Sequence, residues 1–167
     1  MAWGGARVLL DMLLGATLMV LVHLFVVQIS VVKGHSMEPS LHDGDRLVVN
    51  RAACADGAVS RGDVVVLRYP RDPGIDFVKR VIGLPGDRVA IRHGIVFVNG
   101  SRLDGDFEWI ADGDDMDEIL VPEGSYFVLG DNRPISCDSR EFGLVAQELL
   151  KGRVCARFWP IERLGLF

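Results

Sequence analysis

Ser36 stands in Gly34-His35-Ser36-Met37-Glu38-Pro39-Ser40-Leu41, between a glycine and an X-Pro turn. Serine, glycine and proline are the ordinary residues of turns, so this serine is in isolation a loop residue. A turn can also present a hydroxyl as a nucleophile, provided a base takes its proton. His35 is adjacent, but neighbours along an extended chain point to opposite sides, which places its imidazole badly for Ser36. His42 and His93 stay open as candidates, and so does Lys79. In Asp76-Phe77-Val78-Lys79-Arg80-Val81-Ile82, strand alternation sets Phe77, Lys79 and Val81 on one face and Val78, Arg80 and Ile82 on the other. Burial among apolar neighbours disfavours the ammonium form and lowers a lysine pKa toward the range of a general base. The competing arrangement is a lysine whose stem packs on the sheet while its head stays in water.

Other chemistries find less support. The four histidines are scattered, and Cys54, Cys137 and Cys155 form no CxxC, so neither a zinc site nor a disulfide framework is indicated. Phosphate-binding glycine loops are absent. The acidic stretch 104–118, DGDFEWIADGDDMDE, offers carboxylates to calcium but not in the order of an EF-hand loop, and reads as a solvated surface loop. No metal or organic cofactor is expected.

Short runs of Val, Ile, Leu and Phe, punctuated by Gly and Pro, predict strands at 46–50, 63–68, 76–82, 88–92, 95–98, 125–129 and 153–158. His93-Gly94 and Asn99-Gly100 bracket one of them as tight hairpin turns. The one helical stretch expected in this region is short, near 145–150. This pattern predicts a mainly β domain, an antiparallel barrel or sandwich, over 33–167.

Residues 1–7 form a short tail, and residues 8–32 a run of about 25 residues broken by few strongly polar side chains, Asp11, His23 and Gln28. At helical rise that run exceeds the roughly 30 Å hydrocarbon core of a bilayer, which predicts one transmembrane helix. It is too long for the apolar region of a cleavable leader, and no small-x-small site follows it. Flanking charge, Arg7 on one side against Lys33, Arg46 and Arg51 on the other, leaves its orientation open. Over the whole chain of 167 residues the net charge is -5, which argues against a nucleic-acid partner.

Together these segments resemble the type I signal peptidases, membrane-anchored Ser-Lys serine proteases of peptidase family S26. The segment around Ser36 resembles the family's nucleophile box. Phe77-Val78-Lys79-Arg80-Val81-Ile82-Gly83-Leu84-Pro85-Gly86-Asp87 resembles its lysine box. Gly130-Asp131-Asn132-Arg133-Pro134-Ile135-Ser136-Cys137-Asp138-Ser139-Arg140-Glu141-Phe142-Gly143 resembles its third box. The resemblance implies Ser36 as nucleophile, Lys79 as general base, Ser136 as the hydroxyl that hydrogen-bonds the lysine, and Asp138 with Arg140 as a supporting ion pair. It also implies the backbone N–H of Ser36 as oxyanion donor, with Gly34 supplying no hydroxyl to help it. Cys137 stands where a small alanine is common. The expected substrates are secreted preproteins carrying signal peptides. The other expected partners are the lipid bilayer and the secretion translocon, with the catalytic domain on the extracytoplasmic side of the cell membrane. Two alternatives stay open: a dedicated Ser-Lys processor of one pilin or conjugation-type substrate, and an inactive membrane-tethered binding domain.

Overall fold

The computed structural model describes residues 3–25, 27–55, 59–105 and 107–167. A helix α1, Trp3–Phe25, leads into β1 (Val27–Val31), β2 (Arg46–Asn50), the short α2 (Ala52–Ala55), β3 (Val64–Tyr69) and β4 (Asp72–Gly83). Next come β5 (Arg88–Arg92), β6 (Ile95–Val98), β7 (Ser101–Arg102), β8 (Met116–Leu120), β9 (Ser125–Leu129) and α3 (Ser139–Phe142). The chain ends with β10 (Val145–Ala146), β11 (Leu150–Trp159) and β12 (Gly165–Leu166).

The strands form two antiparallel sheets. The larger runs β1-β2-β11-β3-β4-β9-β10, with β12 added to β11, and the smaller runs β7-β6-β5-β8. This bears out a mainly β, antiparallel domain. The larger sheet does not close into a barrel: its order is an open path with β1 and β10 at the ends. The β5–β6 hairpin turns on His93 (φ 51°) and Gly94 (φ 75°), and β6–β7 turns on Asn99 (φ 52°) and Gly100 (φ 78°). Two successive positive φ values make the tight turn whose twist matches the flanking strands, as the two dipeptides predict.

Three expectations are corrected. The run 8–32 is divided, because the helix stops at Phe25 and Val27–Val31 pairs antiparallel with Arg46–Asn50. The β-branched alternation of Val-Gln-Ile-Ser-Val is satisfied by a sheet edge, where a neighbouring strand takes up its backbone groups. Among the described residues no helix is long and apolar enough to cross a membrane. The side chain of His23 lies outside the described residues. The second correction is the helix near 145–150: Val145 pairs with Tyr126 and Leu150 with Leu67, and Gln147–Leu149 between them is a single 3-10 turn. Sheet pairing on both sides overrides a weak local preference. Third, the end of the acidic segment is not loop, since β8 begins at Met116, which pairs with Ile91 of β5.

β4 holds the center of this arrangement. Val81 belongs to one apolar cluster with Val65, Leu67 and Val128, while Ile82, on the opposite face, belongs to another with Val89, Val98 and Phe127. A third cluster, Met37, Leu41, Leu47, Val49, Val64, Val66 and Val154, seats the segment that follows β1. The strand carrying Lys79 is therefore packed on both faces, and the segment carrying Ser36 is pinned by Met37 and Leu41, which are almost wholly buried. Two groups 43 residues apart in sequence are held by rigid supports rather than by a loop.

Candidate active site

Ser36 lies in the turn after β1 and lines a cleft of about 710 Å³, whose walls include Ile29 and Val31 of β1, Val66, Ile75, Phe77, Val78 and Lys79. Lys79 Nζ is 2.7 Å from Ser36 Oγ. Lys79 is 3% exposed, and its ammonium also lies 5.3 Å from the centroid of the Phe77 ring. Burial drives its pKa down to about 8, against the opposing pull of the Asp138, Cys137 and Asp131 charges, with Arg140 pushing in the same direction as burial. A substantial fraction of neutral amine at mildly alkaline pH can accept the serine proton.

No histidine hydrogen-bonds Ser36 among the described residues. His35 Nδ1 instead lies 2.8 Å from Glu38 Oε1, with a side chain 60% exposed, and this acidic neighbour raises its pKa. His42 Nδ1 is buried without a hydrogen-bond partner, and His93 is almost fully exposed beside Asp115. The three cysteines are free. Burial pushes the Cys54 thiol up to about 11, and burial together with Glu141 raises that of Cys137 in the cleft wall. Among the described residues no cluster of three His, Cys, Asp or Glu side chains could hold a metal ion.

The segment after β9 is brought against the nucleophile. Asn132 N–H donates to the Ser36 carbonyl at 3.0 Å. Asp138 is wholly buried and caps α3; its carboxylate accepts from Gly130 N–H at 3.1 Å and from Arg140 Nε at 2.8 Å and Nη2 at 2.9 Å. The expected Asp138–Arg140 ion pair is thus present. The expected hydrogen bond from Ser136 to the lysine is not: Ser136 Oγ is buried without a hydrogen-bond partner. Lys79 Nζ is directed at Ser36 instead, and catalytic hydrogen bonds commonly tighten only once substrate is bound.

Gly130 shows how close this packing is. A Cβ there would meet the Ser36 carbonyl oxygen at 2.5 Å and Ser136 Cβ at 2.6 Å, and would also overlap Ser136 Oγ. Gly130→Ala is expected to displace the nucleophile segment and lower stability by about 1–3 kcal/mol, the usual cost of overpacking. Thermal melting together with a cleavage assay checks this, and wild-type values in both would show that the segment yields freely.

Sequence reasoning passed over Arg80 and Asp131. Arg80 Nε and Nη2 contact the two Asp131 oxygens at 2.8 and 2.6 Å, with both side chains buried. Arg80 also donates from Nη1 to the Gly62 carbonyl at 2.8 Å and from Nη2 to Ser40 Oγ at 3.1 Å. The available signal was an arginine between Val78 and Ile82 on the strand face opposite Lys79, since a charge among core residues requires a buried partner.

The chain matches, over residues 6–159, the family described as "Signal peptidase, peptidase S26". It is 36% identical over 156 residues to signal peptidase IB of Staphylococcus aureus strain COL, covering 83% of this chain and 81% of that one. It is 39% identical over 148 residues to a probable signal peptidase I-2 of Synechocystis, covering 85% and 67%. The crystal structure of a signal peptidase I from Enterococcus faecalis V583 is similar, with a TM-score of 0.50 and 36% identity over 57% of this chain and 95% of that chain.

Proposed function

Because the chain belongs to the signal peptidase family S26, we propose that it is a serine endopeptidase removing signal peptides from secreted preproteins, with Ser36 as nucleophile and Lys79 as general base. The observation that carries the dyad is the 2.7 Å approach of a buried, low-pKa lysine to a serine hydroxyl in the wall of a cleft. Neutral Lys79 accepts the Ser36 proton as Oγ attacks the scissile carbonyl carbon. The Ser36 N–H stabilises the oxyanion of the tetrahedral intermediate. The lysine then gives its proton to the leaving amine, which departs as the new N-terminus of the mature protein. Water, deprotonated by the same lysine, attacks the remaining acyl ester, releases the signal peptide and restores Ser36. Ser136 orients the lysine amine once substrate fills the cleft.

We further propose membrane attachment through α1, with the catalytic domain on the extracytoplasmic side. The exposed Val8, Leu9, Leu10, Met12, Leu13 and Leu14 support it, since a run of exposed apolar side chains on one helix is costly in water. Tethering enzyme and substrate to one surface raises their effective concentration, and on this reading the secretion translocon is a neighbouring partner.

Cleavage of several preproteins in liposomes tests the reading, with wild type run beside Ser36→Ala and Lys79→Ala after each is shown to be folded. Junction cleavage by wild type alone is the expected result. Cleavage of only one substrate in the panel would replace it with a dedicated processor.

A further inference from the structure

The acidic segment between β7 and β8 does more than cover surface. The Phe107 ring lies 4.4 Å from the Arg80 guanidinium, and the Trp109 ring 5.1 Å from that of Arg133. Ile110 N–H donates to the Asp131 carbonyl at 2.8 Å, and its own carbonyl accepts from Arg133 N–H at 3.1 Å, a parallel bridge to Asn132. Asp112 is bonded to Arg140 Nη1, and Asp114 reaches the same atom at 3.2 Å. The segment so gripped is the one whose Asn132 N–H holds the Ser36 carbonyl and whose Asp138 holds Gly130.

We propose that residues 107–114 form a strap that positions the Ser36–Lys79 pair, with Asp112 as its principal positioning residue, acting through Arg140. The proposal rests on the dyad reading above. Arg140 spans two carboxylates: its Nε and Nη2 are committed to Asp138, and its Nη1 to Asp112. Asp112 and Arg140 are little exposed, whereas Asp114 is 65% exposed and a weak substitute. Without Asp112, Nη1 loses its shielded acceptor, and the guanidinium, left with Asp138 and with the Arg133 carbonyl at 2.7 Å from Nη2, settles toward them and draws the Asp138 carboxylate from its register on Gly130. Gly130 touches Ser36 and Ser136 with no slack, so a shift there reaches the reacting atoms. Misplacement of about 1 Å by a change away from the chemistry can cost about 100-fold in rate. Burial is what lowers the lysine pKa; of the neighbouring groups that modulate it, Asp138, Cys137 and Asp131 raise it and Arg140 lowers it. Loss of the Asp112 charge leaves Arg140 less compensated and moves the midpoint of the rate profile to lower pH.

The test measures kcat, KM and the pH profile of full-length Asp112→Asn in detergent, at a temperature where near-UV circular dichroism shows it folded. The expected result is a fall in kcat of about tenfold with KM within twofold, and a pH midpoint below that of wild type. Asp112→Glu should regain most of the rate, and Asp117→Asn, the same charge change on an exposed site of β8, should leave it unchanged. If Asp112→Asn does not fold, Trp109→Leu takes its place with the same expected fall in kcat. Wild-type kcat and midpoint in the folded strap variant, or an equal loss in Asp117→Asn, would overturn the proposal. Ser36→Ala in the same assay separates the two readings: activity there sinks the dyad, while its inactivity beside a fully active Asp112→Asn sinks the strap alone.

Discussion

Alanine at Lys79 is expected to slow preprotein cleavage by about 10⁴-fold or more, and alanine at Ser36 by at least as much, because nucleophile and base act as one unit. The approach of 2.7 Å leaves no room for a water to relay the proton, so the amine itself must take it. For the wild-type enzyme kcat/KM should rise with pH to a midpoint near 8, the neutral amine being the active form. A midpoint near 6.5 would instead assign the base to a histidine. Stability should rise with pH as activity does, but over a higher window. In the folded state Lys79 titrates near 8, below the 10.5 of an exposed lysine. Across pH 8 to 10.5 the unfolded chain therefore binds more protons than the native one, and stability rises with pH through that window. The full effect is roughly 3 kcal/mol. Lys79→Met should lack this rise and melt at a higher temperature than wild type at pH 7, where the buried ammonium is costly. Equal melting temperatures for the two proteins at pH 7 would mean that Lys79 is well solvated, and would remove the physical basis for its role as base.

The second large effect is expected at Asp131. Its carboxylate is the sole charged partner of Arg80 among the described contacts, and the pair is almost fully excluded from solvent. Asp131→Ala leaves a buried guanidinium with neutral acceptors alone, at Gly62 and Ser40, and should cost about 3–5 kcal/mol. For a domain of this size the melting temperature falls by roughly 10–15 °C. Removing both charges is a different matter. Arg80→Met with Asp131→Leu replaces the pair by apolar groups of similar bulk, and should recover most of the loss. A double-mutant cycle measured by urea unfolding distinguishes the cases. A loss of less than about 1 kcal/mol in Asp131→Ala would show that water reaches Arg80 in solution. Because Arg80 also touches Ser40, four residues beyond the nucleophile, the single variant should lose activity even below its melting temperature.

These two sites differ in how far they could be read in advance. The alternation around Lys79 places Phe77 and Val81 on its face, and that is where they pack. Burial then follows from the strand's neighbours, and the low pKa from burial. Arg80 has the same local context, but nothing near it in the chain names Asp131, 51 residues away. The acidic segment misleads for a similar reason. Its charge density reads as a solvated surface, yet Phe107, Trp109 and Asp112 are turned inward against three arginines brought there from β4, from the segment after β9 and from α3. The run 8–32 misleads by its uniformity, since apolar composition alone does not say where a helix gives way to a strand that finds a pairing partner.

By itself, the sequence determined what is local: the period-2 strands, the two hairpin turns at His93-Gly94 and Asn99-Gly100, and the three segments around Ser36, Lys79 and 130–143 that carry the family resemblance. Tertiary structure alone decided what depends on encounters between distant segments. It set Ser36 against Lys79, placed Asp138 beneath Gly130, paired Arg80 with Asp131, left the Ser136 hydroxyl unpartnered and drew 107–114 across the site. The division has a physical reason. Backbone propensity and side-chain period act over a few residues, whereas a buried charge finds its partner only when long-range strand pairing has excluded water from both.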